Sequence, residues 1–143
     1  MSFVVDSSVA LTWCFADEQT PATVSLLDRV ADSGAFAPAL WPLEVLNALL
    51  VAERRKRIGT VKRHELIGVL QSLPITIDTE TATQTWKVTN RLAAQYGLTI
   101  YDATYLELAQ RLELPLATLD TQLREAAATL GVQLIGTAED DTP

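Results

Sequence analysis

"PLATLDTQLREAAATLGVQLIG", residues 115–136, decides the architecture. "PLATLD" is apolar and too short for a helix, so it reads as a buried strand. "TQLREAAATLG" reads as a helix, with Gly131 to close it. "VQLIG" is a second short apolar run. A strand, a helix and a strand in succession form a crossover unit, whose strands lie parallel.

The same alternation extends back to the amino terminus. "SFVVD" is a β-rich run with no room for a helix. "SSVALTWCFAD" follows with helical spacing, Val9, Thr12, Trp13 and Ala16 sharing a face. "TPATVSLLDRVADSG" is a helix with Thr20 as cap, Pro21 at its first position and Gly34 at its end. "AFAP" is a strand. "LWPLEVLNALLVAERRKRIG" is a long helix started by Pro42 and closed by Gly59, with Leu43, Leu46, Leu50 and Ala52–Glu53 marking its passage from buried to exposed. "TVKRHELIGVLQSL" is a helix, "PITI" a strand, and "TETATQTWKVTNRLAAQYG" a helix ending at Gly97. "YDATYLELAQRLE" leads into the opening stretch. Five short strands among about seven helices predict an α/β fold, a parallel sheet covered on both faces. Residues 1–137 read as one domain and 138–143 as a short acidic tail that frays.

The 143 residues carry a formal net charge of -7, with 48% hydrophobic and 20% charged side chains, which describes a globular chain with a core. That balance argues against a charged coat for non-specific nucleic-acid binding, but not against a local basic patch. One cysteine, Cys14, excludes an internal disulfide, and a single histidine, His64, excludes a Cys/His zinc cluster. A Ser-His-Asp triad would need His64, whose neighbours Lys62 and Arg63 describe a solvated helix. "MSFVVD" lacks the basic start of a signal peptide, and no apolar run is long enough to span a membrane. The expected location is the cytoplasm.

Four acids stand at helix starts: Asp6, Glu44, Asp102 and Asp120. Each alone is explained by capping, since acids are common there, and Thr99 and Asp102 have the spacing of a capping box. Together they mean more. In an open parallel sheet the carboxyl ends of the strands share one rim, where the helices that follow begin. Asp6 and Asp120 are delivered to the same part of that rim if the first and fourth strands are neighbours. The helix of Glu44 starts at the rim too, and the helix headed by Asp102, which does not directly follow a strand, leads into the fourth strand. Carboxylates gathered without basic partners repel one another unless a cation holds them. Oxygen ligands in this number suit Mg²⁺ or Mn²⁺, which can orient and acidify a water for attack on a phosphodiester.

The same stretches carry a resemblance. "VVDSSVAL", "PLEVLNAL", "YDATYLELA" and "LATLDTQLREAAATLGV" resemble, in order, the four motifs of PIN-domain nucleases of the VapC type, the toxins of bacterial toxin–antitoxin pairs. The resemblance implies a metal-dependent endoribonuclease acting on single-stranded or looped RNA, a homodimer and a small antitoxin that blocks the site. It assigns Asp6, Glu44, Asp102 and Asp120 to the metal, and Ser7 and Thr118 to orienting those acids. Their alternative role is local backbone capping.

Arg54, Arg55, Lys56, Arg57, Lys62 and Arg63 hold six of the eleven basic residues. They could guide an RNA backbone, receive an acidic antitoxin tail, or simply solvate a helix end. Trp13, Trp41 and Trp86 could stack bases, but their apolar neighbours favour core or interface packing. A phosphorelay receiver would need a lysine near the last strands, and the last lysine is Lys87. A haloacid-dehalogenase-type phosphatase needs a second acid where Ser8 stands. The alternatives that survive are a catalytically silent PIN-like scaffold and a housekeeping PIN nuclease without antitoxin.

Overall fold

The structure, a computed structural model, describes residues 1–141. The last two residues of the expected acidic tail lie outside the described residues. Five strands, β1 (Val4–Val5), β2 (Ala35–Ala37), β3 (Ile75–Ile77), β4 (Leu116–Ala117) and β5 (Leu134–Ile135), form one parallel sheet in the order β3-β2-β1-β4-β5. Val4 pairs with Phe36 on one side and Leu116 on the other. The central strands are buried on both faces, so their runs are apolar without alternation.

Helices α1 (Ser7–Thr12), α2 (Pro21–Ser33), α3 (Trp41–Arg54) and α4 (Thr60–Ser72) connect the first three strands. Helix α5 spans 81–96 in three pieces: Thr81–Gln84, a π turn at Thr85–Thr89, and Asn90–Tyr96. Gly97 ends it in the left-handed region at φ 66, as the sequence predicts. Helices α6 (Ile100–Leu112) and α7 (Thr121–Thr129) flank β4, and seven helices result among the described residues.

The chain steps from β1 outward to β2 and β3, then crosses back through α5 and α6 to place β4 on the other side of β1. The carboxyl ends of β1 and β4 therefore flank the point where the winding direction reverses, which is where open α/β sheets leave a crevice. Asp6 directly follows β1, and Thr118 to Asp120 directly follow β4. Helix α6 packs on both strands and is buried without interruption from Ala103 to Ala109.

Three local expectations are corrected. The first helix stops at Thr12, and Ala16–Glu18 form a separate short 3₁₀ turn with Ala16 exposed. Helix α3 ends at Arg54, not Gly59: Lys56 takes the left-handed conformation, φ 62, and Gly59 instead caps α4. Its buried face is Trp41, Val45, Leu49 and Ala52, whereas Leu43 and Leu46 are 72% and 41% exposed. Leucine content alone pointed to the wrong stripe; the i, i+4 spacing of Trp41, Val45 and Leu49 defines the buried face. Thr20 and Pro21 start α2 as expected, with Thr20 and Thr23 completing a reciprocal capping box.

One largely buried ionic group ties α6 to the end of β3. Arg111 on α6 bonds Glu107 at 2.7 Å and Asp78, just after β3, at 2.6 Å. Asp78 also accepts from the Thr81 hydroxyl, which in turn accepts from the Ala39 N–H beside α3. Arg111→Ala leaves the buried Glu107 unpaired and is expected to cost about 3 kcal/mol, the low end for a broken buried pair because Arg111 keeps partial solvent contact. Urea unfolding measures it; a loss below about 1 kcal/mol would contradict a stabilising role for the pair.

Candidate active site

Asp6 occupies the N-cap position of α1, yet its side chain makes no capping bond. It accepts instead from three hydroxyls: Thr118 Oγ1 at 2.7 Å, Ser8 Oγ at 2.8 Å and Ser7 Oγ at 3.4 Å. The capping explanation therefore fails for Asp6. Only 4% of the residue is exposed, and burial raises its pKa against the pull of the Thr118, Ser8 and Ser7 bonds, with Asp120 adding to the rise.

Asp120 does cap its helix, accepting from Leu123 N at 2.8 Å through Oδ2. Its own N–H donates to Thr118 Oγ1 at 3.1 Å. Thr118 thus stands between the two acids, accepting from one backbone and donating to the other side chain. Glu44 lies in the first turn of α3, half-buried, with the Tyr105 phenol donating to Oε1. Burial raises its pKa, the Tyr105 bond lowers it, and the charges of Asp6 and Asp102 raise it further. Tyr105 itself is fully buried, and its pKa is driven up by burial, then by Asp6 and Glu44.

Asp102 lies in the first turn of α6, where Thr99 is the cap, its hydroxyl accepting from the Asp102 N–H at 3.0 Å. Burial raises the Asp102 pKa, followed by the charges of Asp120 and Asp6. Asp6, Glu44 and Asp102 therefore each feel the charge of at least one other acid of the set. None of them forms an ion pair among the described residues. Among the described residues no three such side chains are drawn together as a finished ion cage. The donor set still fits a hard divalent cation: carboxylate oxygens only, raised pKa values at Asp6, Glu44 and Asp102, and no cation among the main influences on these three.

A matching family model decides the kinship: a PIN domain, aligned over residues 3–129. The chain belongs to the PIN domain family. No curated protein matches it in sequence. Among solved structures, the PIN fold here is similar to FitAcB from Neisseria gonorrhoeae, at 18% identity and TM-score 0.64, over 94% of this chain and 96% of that one. It is also similar to VapBC2 from Rickettsia felis bound to a DNA fragment from their promoter, at 11% identity and TM-score 0.63, over 94% and 97%. A toxin–antitoxin complex from Klebsiella pneumoniae matches at 16% identity and TM-score 0.58, over 83% and 87%.

Two polar residues of this PIN-domain site were not singled out from sequence. Ser8 donates to Asp6 and accepts from the Leu119 N–H at 3.1 Å, stitching the β1 and β4 ends together. Tyr105 holds Glu44 across helices. A hydroxyl two residues after an acid was the available signal for Ser8. Tyr105 gave none, because a tyrosine in an apolar helix reads as packing.

The basic cluster divides. Arg57 pairs with Asp17 and Glu18 at 3.0 and 3.2 Å and lies over the Phe15 ring at 3.9 Å. Arg63 pairs with Glu53 at 3.0 Å, and Lys62 approaches Glu65 at 4.0 Å. Arg54, Arg55 and Lys56 are exposed and form no ion pair among the described residues. Along α3, Arg54 lies roughly 15 Å from Glu44 at 1.5 Å per residue, so the cluster is separate from the acids. Trp41 is buried, and Trp13 is half-buried with Nε1 donating to the Thr23 carbonyl at 2.8 Å. Trp86, on the π turn, is 86% exposed and packs in no core.

Proposed function

We propose that this PIN-domain protein is a cytoplasmic, metal-dependent endoribonuclease and the toxin of a toxin–antitoxin pair. What supports the nuclease reading is the reach of four acids' charges to one another: Asp120 on Asp6, Asp6 and Asp102 on Glu44, and Asp120 and Asp6 on Asp102, with no ion pair to any of them among the described residues. These four would hold Mg²⁺ or Mn²⁺, directly or through water. The bound ion would supply Lewis-acid stabilisation and an activated water. The chain's own part is to fix the donors: Thr118, Ser8 and Ser7 orient Asp6, and Tyr105 orients Glu44.

The toxin reading draws support from neighbours described as a toxin–antitoxin complex and as VapBC2, together with the family match. A homodimer is part of the same proposal, supported by exposed apolar side chains at Leu43, Tyr101 and Trp86. Purified protein incubated with mixed RNAs tests the activity: cleavage with Mg²⁺ or Mn²⁺ and none with chelator supports it, and metal-independent cleavage or none at all opposes it. Induced expression tests the toxin role: growth arrest is expected with the active protein, and normal growth would favour a housekeeping nuclease.

Arg54, Arg55 and Lys56 are proposed to touch RNA phosphates. Reversing all three to Glu should weaken RNA binding and reduce the slope of log affinity against log salt by up to about 2, at ~0.7 per single-strand phosphate contact. Binding titrations at several salt concentrations measure this. An unchanged slope would leave these residues as helix surface.

A further inference from the structure

The carboxyl-terminal segment is tied to the site, although its sequence reads as a fraying tail. After β5, Gly136 takes φ 117, a conformation reserved for glycine, and turns the chain back. Thr137 and Asp140 then close a small hook: the Thr137 N–H and hydroxyl donate to Asp140 Oδ2 at 2.9 and 3.0 Å. Arg124 of α7 grips this hook. Its Nη2 bonds Asp140 Oδ1 and reaches Thr137 Oγ1 at 3.3 Å. Its Nη1 donates to the Thr118 carbonyl at 2.7 Å and to the Ile135 carbonyl at 3.5 Å. Both side chains of the pair are largely shielded, at 17% and 10% exposure. Burial disfavours the Asp140 charge, but the Thr137 and Arg124 bonds outweigh it and hold the carboxyl below the usual range. The hook lies beyond residue 129, where the PIN-domain match ends.

We propose that Arg124 and Asp140 are positioning residues: the hook orients the Arg124 guanidinium, which holds the Thr118 carbonyl and so aims the Thr118 hydroxyl at Asp6. The geometry requires this linkage at one residue. Thr118 is fully buried and carries three bonds that define the site: its carbonyl takes Arg124, its hydroxyl donates to Asp6, and the same hydroxyl accepts from the Asp120 N–H. The Thr118 carbonyl shares its peptide unit with the Leu119 N–H, so loosening it lets that unit rotate. Rotation pulls the Leu119 N–H from Ser8 and shifts the following Asp120 amide from the Thr118 hydroxyl, leaving the hydroxyl less firmly aimed at Asp6. The proposal rests on the nuclease reading for its effect on catalysis, but not for its effect on structure.

Hydrogen exchange separates the two. The Leu119 and Asp120 amides bond Ser8 and Thr118 hydroxyls, so they report the clamp directly. In Asp140→Ala these two amides should exchange about tenfold faster, while the Asp6 amide, bonded to the Ala117 carbonyl at 2.9 Å, stays protected. The kcat in Mn²⁺ should fall about tenfold, as for loss of an outer partner of a ligand, with KM for RNA little changed. Asp140→Asn, which keeps the shape and a neutral acceptor, should fold and show a smaller change in the same direction. Unchanged exchange at Leu119 and Asp120 in both variants overturns the proposal. So does exchange that rises equally at Asp6, which would mark a merely structural tail. Should the wild-type protein cut no RNA, the nuclease reading fails, and the exchange result alone still decides the clamp.

Discussion

Asp6→Asn is expected to abolish RNA cleavage while the protein stays folded. The loss should exceed by orders of magnitude the ~10–100-fold typical of removing a group that merely orients a ligand. Asp6 is the most buried of the four acids and the one on which three hydroxyls converge. An amide keeps the shape but supplies no charge to hold a divalent ion or stabilise the cationic site. Asp102→Asn should fall by a similar factor. Thr118→Val removes the hydroxyl that joins Asp6 to the Asp120 amide and should fall in the lower range. This ordering separates ligands from orienting groups. Single-turnover cleavage with circular dichroism as the folding control measures all three, and retained metal-dependent cleavage in both Asp variants would sink the site assignment.

The second large effect concerns stability without metal. Asp6, Glu44 and Asp102 all have pKa values above the ordinary carboxylate range, burial being the first cause in each and a neighbouring acid a further one. The native state therefore binds more protons than the unfolded chain. Their contribution to stability is complete below the unfolded carboxylate pKa of about 4 and is lost as pH rises through the raised native values. Asp78 and Asp140 run the other way. Burial opposes their ionisation, but the Arg111 and Arg124 contacts and backbone bonds prevail and lower their pKa values, so their contribution is present above about 4 and is lost on acidification through the lowered native values. In chelator, Asp102→Asn should remove part of the high-pH loss and leave the acid side unchanged. Thr99 remains as the α6 cap, so no capping bond is forfeited. The variant should be as stable as wild type, or more so, near neutral pH. Metal at a hundredfold excess over Kd should then stabilise wild type by about 2.7 kcal/mol, or roughly 10 °C for a domain of this size. Asp102→Asn should show little of that gain. Thermal melts across pH, with chelator and with Mn²⁺, measure both. A destabilised variant with an intact metal response would make Asp102 a structural acid and nothing more.

Much of this was legible in the residues, for reasons that differ by level. The strand–helix alternation and the punctuation by Pro21, Gly97 and Gly131 are local, so the sheet and most helices could be read directly. The rim position of Asp6 and Asp120 followed from parallel topology, because Asp6 directly follows β1 and Asp120 lies in the short turn between β4 and the next helix. What remained hidden depends on contacts between distant segments. Arg57 looked like part of a free basic patch until Asp17, Glu18 and Phe15 were folded against it. The tail read as a fraying end until Arg124 reached Asp140. Tyr105 looked like core until Glu44 met its hydroxyl, sixty-one residues away in sequence. The face of α3 was misread because leucines on the solvent side have no local mark to distinguish them from leucines inside.

The most direct measurement is anomalous diffraction from crystals grown with Mn²⁺. The account predicts a manganese peak at the carboxyl rim, with oxygens of Asp6 and of at least two of Glu44, Asp102 and Asp120 at the roughly 2.1–2.3 Å expected of a hard divalent ion with oxygen ligands. Active crystals with no manganese among these acids, or with manganese held by a different set of side chains, would contradict it.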